Sequence, residues 1–354
     1  MPSKKKNQFA FISISIITLV SMLVSNKAQA HVKWFARYDL SKPPEQVALV
    51  FTSEFISLLL LSVALLFIFY CIDRYCYRRQ IFDAIIQRIT VNENTALSIM
   101  RVATFVFFAA LCVYRACGIG FVLTPELHCS NPFITLIQFF AAIFTLHKKT
   151  LPLTGVAILT LYAIGLADYG LFHMLDYLIF VGIGAYFLLS SLENGRWSTH
   201  RYSILILCTG ATLLWASIEK WGYPQWTYPL LRREPELLMG MTPHFYMILA
   251  GFVEFNITFL LISSFSFFAR IIAIGLNAVF ILAIYKFGLV DAVGHLLIIT
   301  ILTVFLLRGP AHGSYVVAMP HRNLAIEACW MTSLYLVSFG GVFILYYIGY
   351  LLFA

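Results

Sequence analysis

The chain reads as an all-α, polytopic transmembrane helical bundle, and three observations predict it. Of its 354 residues, 61% are hydrophobic and only 11% charged, whereas about a quarter of the residues in a soluble domain are charged. The apolar runs extend well over ten residues, helical lengths rather than the alternating strands of about ten that build membrane barrels. Basic residues gather in short clusters between those runs, as the positive-inside rule requires of cytoplasmic loops. This composition excludes a disordered chain, collagen, a disulfide scaffold and an ordinary cytosolic enzyme. The excess of 24 basic over 16 acidic residues therefore reports orientation and no nucleic-acid partner; the lipid bilayer is the expected surrounding. Seven cysteines without CxxC, CxxCH or zinc spacing imply no disulfide framework.

Residues 1–30 have the form of a bacterial signal peptide. Lys4, Lys5 and Lys6 form its basic region, Phe9 to Leu23 its short apolar stretch, and Ala28-Gln29-Ala30 a small-x-small cleavage site. Cleavage there would leave His31 as a free N-terminal residue, whose amine and imidazole can together chelate copper; the plain alternative is that His31 is merely the first residue after the cut. The apolar runs then predict ten spans, at about 47–72, 97–122, 132–147, 151–169, 171–191, 202–221, 243–266, 270–286, 289–307 and 324–353. With the N-terminus outside, every cytoplasmic loop is basic, while Glu126, Asp168, Glu234, Glu236 and Asp291 fall outside together with the interfacial aromatics Trp221, Tyr223, Trp226 and Tyr228. The expected location is the bacterial inner membrane with both mature termini periplasmic.

The sequence also repeats. Arg101 and Arg201 each open a span; Pro125-Glu126-Leu127 and Pro235-Glu236-Leu237 follow, then Gln138 and Asn256, then Gly170-Leu171 and Gly288-Leu289. The chain divides accordingly into 31–96 (first span and its flanks), a four-helix unit at 97–192, a second at 200–308, and 309–354 (loop and last span). Both units start on the cytoplasmic side, so the repeat is parallel rather than inverted. An arginine opening the first helix, Ser217-Ile218-Glu219-Lys220 near its outer end, a broken outside loop and three further short helices resemble the DoxX-like (DoxD/DoxX) family of bacterial four-helix membrane proteins. The resemblance covers the second unit best, since the first has Gly120 in place of the lysine. It implies a four-helix bundle and, for some members, quinone-linked sulfur oxidation or thiol and oxidant stress; the duplication, signal peptide and end helices depart from that pattern.

Ionisable groups inside spans are costly, so each is a candidate functional residue. Glu254 lies mid-span near Asn256, as either a proton-carrying or cation-binding group or a neutral interhelical hydrogen-bond partner. Two histidine and carboxylate pairs recur at helical spacing, His173 with Asp176 and Asp291 with His295. Such pairs can bind a metal, hold a quinone oxygen or pass protons, or serve helix-terminal electrostatics alone. Lys220 is expected to snorkel outward, which turns Glu219 inward toward the depth of Asp291 and His295. Arg115 and Glu54, at similar depth, are expected to form a buried ion pair. Loop 309–323, with His312 and His321, reads as a connector. A haem held by His173 and His295 is disfavoured, because two suitable residues among nine histidines arise by chance.

The expected function is a redox-associated inner-membrane protein binding a quinone or similar small hydrophobic redox partner. Glu219, Glu254, Asp291 and His295 would bind and protonate it, with His173 and Asp176 a second cofactor-binding set; other membrane redox proteins are candidate partners. The rival is copper handling or proton-coupled transport starting from His31, and the third reading a scaffold without catalysis. The cytoplasmic halves look apolar, which favours a pocket over a path.

Overall fold

The computed structural model describes residues 42–191, 200–264, 267–310 and 323–353. The expected signal peptide, His31, His312 and His321 lie outside the described residues. Among those described there is no strand, only an isolated antiparallel bridge between Phe121 and His128.

Among the described residues, eleven helices of ten residues or more build the molecule: α1 (Ser53–Arg78), α2 (Glu93–Ala116), α3 (Pro132–Phe144), α4 (Leu151–Met174), α5 (Leu178–Leu188), α6 (Arg201–Gly222), α7 (Pro224–Arg233), α8 (Pro243–Ser263), α9 (Phe268–Phe287), α10 (Leu289–Arg308) and α11 (Leu324–Phe353), with shorter helices and turns between them. Their starts carry ordinary capping chemistry. Thr52, Asn92, Asn131 and Thr242 each accept a hydrogen bond from a backbone N–H of the first turn, and Pro132 and Pro243 take first-turn positions where no N–H is needed. Among the described residues, eight segments are long and apolar enough to cross a membrane; α3 is shorter. One of the eight, Lys148–Leu188, has 41 residues. At about 1.5 Å per residue it would be about 60 Å long, twice the hydrocarbon thickness. It breaks at Gly170, whose φ of 80° and ψ of 163° suit glycine alone. The second arm returns beside the first through the turn Leu175–Tyr177 and α5.

Neighbouring helices close a ring: α2 packs on α3, α3 on α4, α4 on α5, α5 on α6, α6 on α8, α8 on α9, α9 on α10, and α10 back on α2. Helices α1 and α11 pack on each other and against α8, α6 and α4 outside that ring. Two buried cores result. One fills the ring; the other, rich in aromatics such as Phe55, Trp221, Phe252, Phe255 and Tyr335, glues α1 and α11 to α6 and α8. Gly251 is required there, because a Cβ on it would come within 2.2 Å of the Trp221 indole nitrogen, which donates to the carbonyl of Ile248 at 3.0 Å.

The two ends differ in chemistry. At one, Arg101 donates to the carbonyls of Thr145 (2.7 Å) and Leu146 (2.6 Å), and Arg270 to the carbonyl of Leu306, so arginines satisfy the open carbonyls of α3 and α10. Arg201 pairs with Glu93 at this arginine end, and Glu327 of α11 takes Arg78 of α1 at 2.8 Å and Arg74 at 3.7 Å. The other, aromatic end carries Trp221, Tyr223 and Trp226, with Tyr223 and Trp226 stacked at 3.9 Å. The expected ion pair between Arg115 and Glu54 does not form. Arg115 donates instead to the carbonyls of Cys129 and Ser130, holding the turn after α2, while Glu54 stays exposed in the first turn of α1. A carboxylate beside the positive end of its own helix and open to the surface needs no buried partner.

Candidate functional site

Two chambers meet at the aromatic end. The larger, about 620 Å³, lies between α7, α8 and α9; Tyr223, Trp226, Leu230, Leu231, Leu237, Tyr246, Met247, Ala250, Val279, Leu282 and Ala283 are among its walls. Pro224 and the break at Glu234 give α7 its ten-residue length, and its apolar side buries Trp226, Leu230 and Leu231 while Arg232 and Arg233 close its last turn. Val279 and Leu282 are 61% and 67% exposed, so the α9 side of the chamber faces the molecule's apolar exterior. The smaller cavity, about 120 Å³, sits between α5, α6, α8 and α10; among apolar walls that include Phe180, Leu213 and Phe280 it gathers Thr124, Asp176, Tyr177, Thr212, Glu219, Lys220, Glu254 and His295. Glu219 and Lys220 line both spaces, so the two adjoin at this pair of residues.

The structure thus brings four sequence-selected residues, Asp176, Glu219, Glu254 and His295, into one cavity. Asp291 stands directly behind. It is fully buried, and its carboxylate meets Nδ1 of His295 at 3.1 Å, one helical turn away on α10. The ring of Phe280 covers His295 at 4.8 Å. The snorkelling expected of Lys220 is overturned: its ammonium pairs with the carboxylate of Glu254 across α6 and α8. A lysine reaching outward would leave a carboxylate alone in the bundle, whereas pairing offsets the desolvation of both. Their side chains are 32% and 20% exposed, which fits a pair facing a cavity rather than sealed in packing.

His173 takes a partner the spacing did not reveal. Its Nε2 lies 3.0 Å from Oε1 of Glu126, in the loop after α2, while Asp176 lines the small cavity. The helix gives way to the tighter turn Leu175–Tyr177 between them, so α-helical spacing no longer governs the two side chains. With Nε2 engaged by Glu126 and His295 engaged by Asp291, each imidazole is oriented by its own carboxylate, an arrangement unlike two histidines aimed at one haem. No group of three or more His, Cys, Asp or Glu suited to a metal occurs among the described residues. Glu126 had entered the sequence reading as an outside acidic residue and as the counterpart of Glu236, not as a site residue. The counterparts diverge: Glu126 turns inward, whereas Glu236 and Glu234 bind Lys286 at the rim of the large chamber.

That rim contact is steady across the neutral range. The hydrogen bond from Lys286, with help from the backbone, holds the Glu236 carboxyl down to about 2 from its ordinary 4.5. A carboxyl so depressed contributes above its ordinary value and loses the contribution only as pH falls toward 2. Loop 234–239 therefore stays tied to α9 at physiological pH.

No family model, curated protein or solved structure matches the chain. Its residues form a small cavity with charged and protonatable groups, adjoining a roomier, more apolar one that borders the molecule's apolar exterior.

Proposed function

We propose that the protein binds a small membrane-soluble amphiphile, of the quinone class, with its polar ring at the small cavity and its apolar body in the large chamber. The junction of the two spaces at Glu219 and Lys220 carries this reading. A volume of about 620 Å³ falls within the roughly 300–1,000 Å³ of small-molecule pockets. The mixture of apolar walls with a few convergent polar groups is what such a ligand needs. Lys220 and His295 carry protons beside the ring, the carboxyl groups of Glu254, Glu219 and Asp176 can exchange them, and Asp291 fixes the imidazole. Membrane redox proteins would be its partners.

The transport reading is less well supported. Toward the arginine end, several polar groups bond locally, half-buried Asn256 with Ser62 (2.8 Å) and with Tyr335 (2.7 Å), and Ser263 with Tyr70. This half is therefore less apolar than its sequence reads. Leu66, Phe255 and Phe259, all buried, stand among those pairs, as expected of interhelical glue rather than a path.

The same reading places ten crossings in a bacterial inner membrane, with the arginine end cytoplasmic by the positive-inside rule. The two arms on either side of Gly170 and α3 supply the three crossings beyond the other seven long helices. Gly170 and Gly288, with φ of 80° and 85°, break the chain at matching places of two four-helix units, and the ring order repeats the same sequence of contacts in both. That agrees with the similarity to DoxX-like proteins, which contributes fold analogy and not activity.

Filling the large chamber tests the function. Ala283 lines it on α9. Ala283→Trp is expected to weaken binding of an alkyl benzoquinone by about tenfold or more, one lost CH₂-scale contact per carbon excluded being worth about 0.8 kcal/mol, with thermal stability retained. Saturable quenching of tryptophan fluorescence measures it, since Trp226 is in the wall. Equal affinity in the variant contradicts the placement of the apolar body.

A further inference from the structure

One wall of the small cavity has a fixed hydrogen-bonding polarity. Tyr177 lines the cavity and donates its hydroxyl proton to Oε2 of Glu126, while Oε1 of the same carboxylate meets Nε2 of His173 at 3.0 Å. Glu126, His173 and Tyr177 are 6%, 4% and 7% exposed, so water does not freely exchange these partners. Thr124, in the same loop, also lines the cavity. It is 4% exposed, and its hydroxyl has no hydrogen-bond partner. A buried hydroxyl left this way marks a place for a ligand or water.

A role in tying the loop to α4 accounts for Glu126 and His173. It does not account for the position of Tyr177 at the cavity wall or for the open hydroxyl of Thr124. With its proton committed to Glu126, Tyr177 offers the cavity only the lone pairs of Oη. Thr124 can donate. A ligand hydroxyl can serve both, giving its proton to Tyr177 and accepting from Thr124; a carbonyl oxygen can only accept, so it bonds with Thr124 and makes no bond with Oη of Tyr177.

We propose that Tyr177, locked as an acceptor by Glu126 and His173, makes the small cavity selective for a hydroxyl-bearing ring over its carbonyl form, so that the hydroquinone binds more tightly than the quinone. This rests on the ligand reading above, and it names which redox form of that ligand class the site holds. The magnitude follows from one buried hydrogen bond made with one form and missing with the other, which is about tenfold in affinity.

The experiment compares an alkyl benzoquinone with its hydroquinone on the full-length protein in lipid nanodiscs, the hydroquinone kept reduced under anaerobic conditions. Wild type is expected to favour the hydroquinone by about tenfold. Tyr177→Phe, which keeps the ring and removes the acceptor, is expected to bring the ratio to about one. Glu126→Gln should narrow the ratio too, because a carboxamide can present its own donor and release the Tyr177 proton to the cavity. A cooperative thermal unfolding transition retained in each variant shows that the protein is still folded. Equal affinity of wild type for both forms, or an undiminished ratio in Tyr177→Phe, overturns the inference and leaves the ligand site standing. Absence of binding of either form by wild type overturns the site as well.

Discussion

Replacing Lys220 with methionine is expected to destabilise the protein by roughly 2–3 kcal/mol, somewhat under the ~3–5 of a fully sealed pair because both groups face a cavity. The stem of the side chain is kept, so the loss comes from the Glu254 carboxylate, whose cationic partner across α6 and α8 is gone. Glu254→Gln should also destabilise, since the amide keeps shape but leaves the ammonium of Lys220 without its anion. Together Lys220→Met and Glu254→Gln should cost less than the sum of the two, the signature of direct coupling. Thermal unfolding in detergent, followed for the two single variants and the double, measures this. Strict additivity would show that the pair is a neighbouring of charges without energetic consequence. The charge matters to function too: without Lys220 the junction of the two chambers loses its cation, and binding of an electron-rich ring should weaken.

The second large effect is expected at the opposite end. Glu327→Ala should cost about 3–5 kcal/mol, the range for breaking a buried ion pair from one side. The Glu327 side chain is 7% exposed and accepts from Arg78, with Arg74, itself 4% exposed, 3.7 Å away. These contacts join α1 to α11, the two helices outside the ring, so the loss should appear as early detachment of that pair. Hydrogen exchange resolves it: protection should fall first in 53–78 and 324–353 while the ring stays protected. Uniform loss across all helices would contradict the division into a ring and a flanking pair.

How much of this was legible in the sequence depends on range. Apolar runs and their basic flanks reveal helices because both signals are local, and Gly170 and Gly288 stand out because each interrupts such a run. Glu254, Asp291 and His295 were visible for a related reason: an ionisable group inside an apolar run has few inexpensive explanations. The partners were not visible. Tyr177 and Glu126 meet across 51 positions of sequence, and Lys220 reaches Glu254 across 34, distances over which helical spacing says nothing. Lys220 was misread because a lysine near a helix end ordinarily snorkels. The large chamber was hidden for another reason: residues 222–241 look like added loop length, and only their folding into α7 and the turn after it turns them into a wall.

The central claim is that the joined chambers hold a quinone-class amphiphile, and the most direct measurement is what the protein carries out of the membrane. Mature protein purified in mild detergent from quinone-containing bacteria would be extracted with solvent and assayed for quinone, haem and metal together. The expected result is quinone approaching one per chain, reduced strongly by Ala283→Trp, with haem and metal far below one per chain. Stoichiometric metal or haem with no quinone, or quinone at the same level in Ala283→Trp, would contradict it.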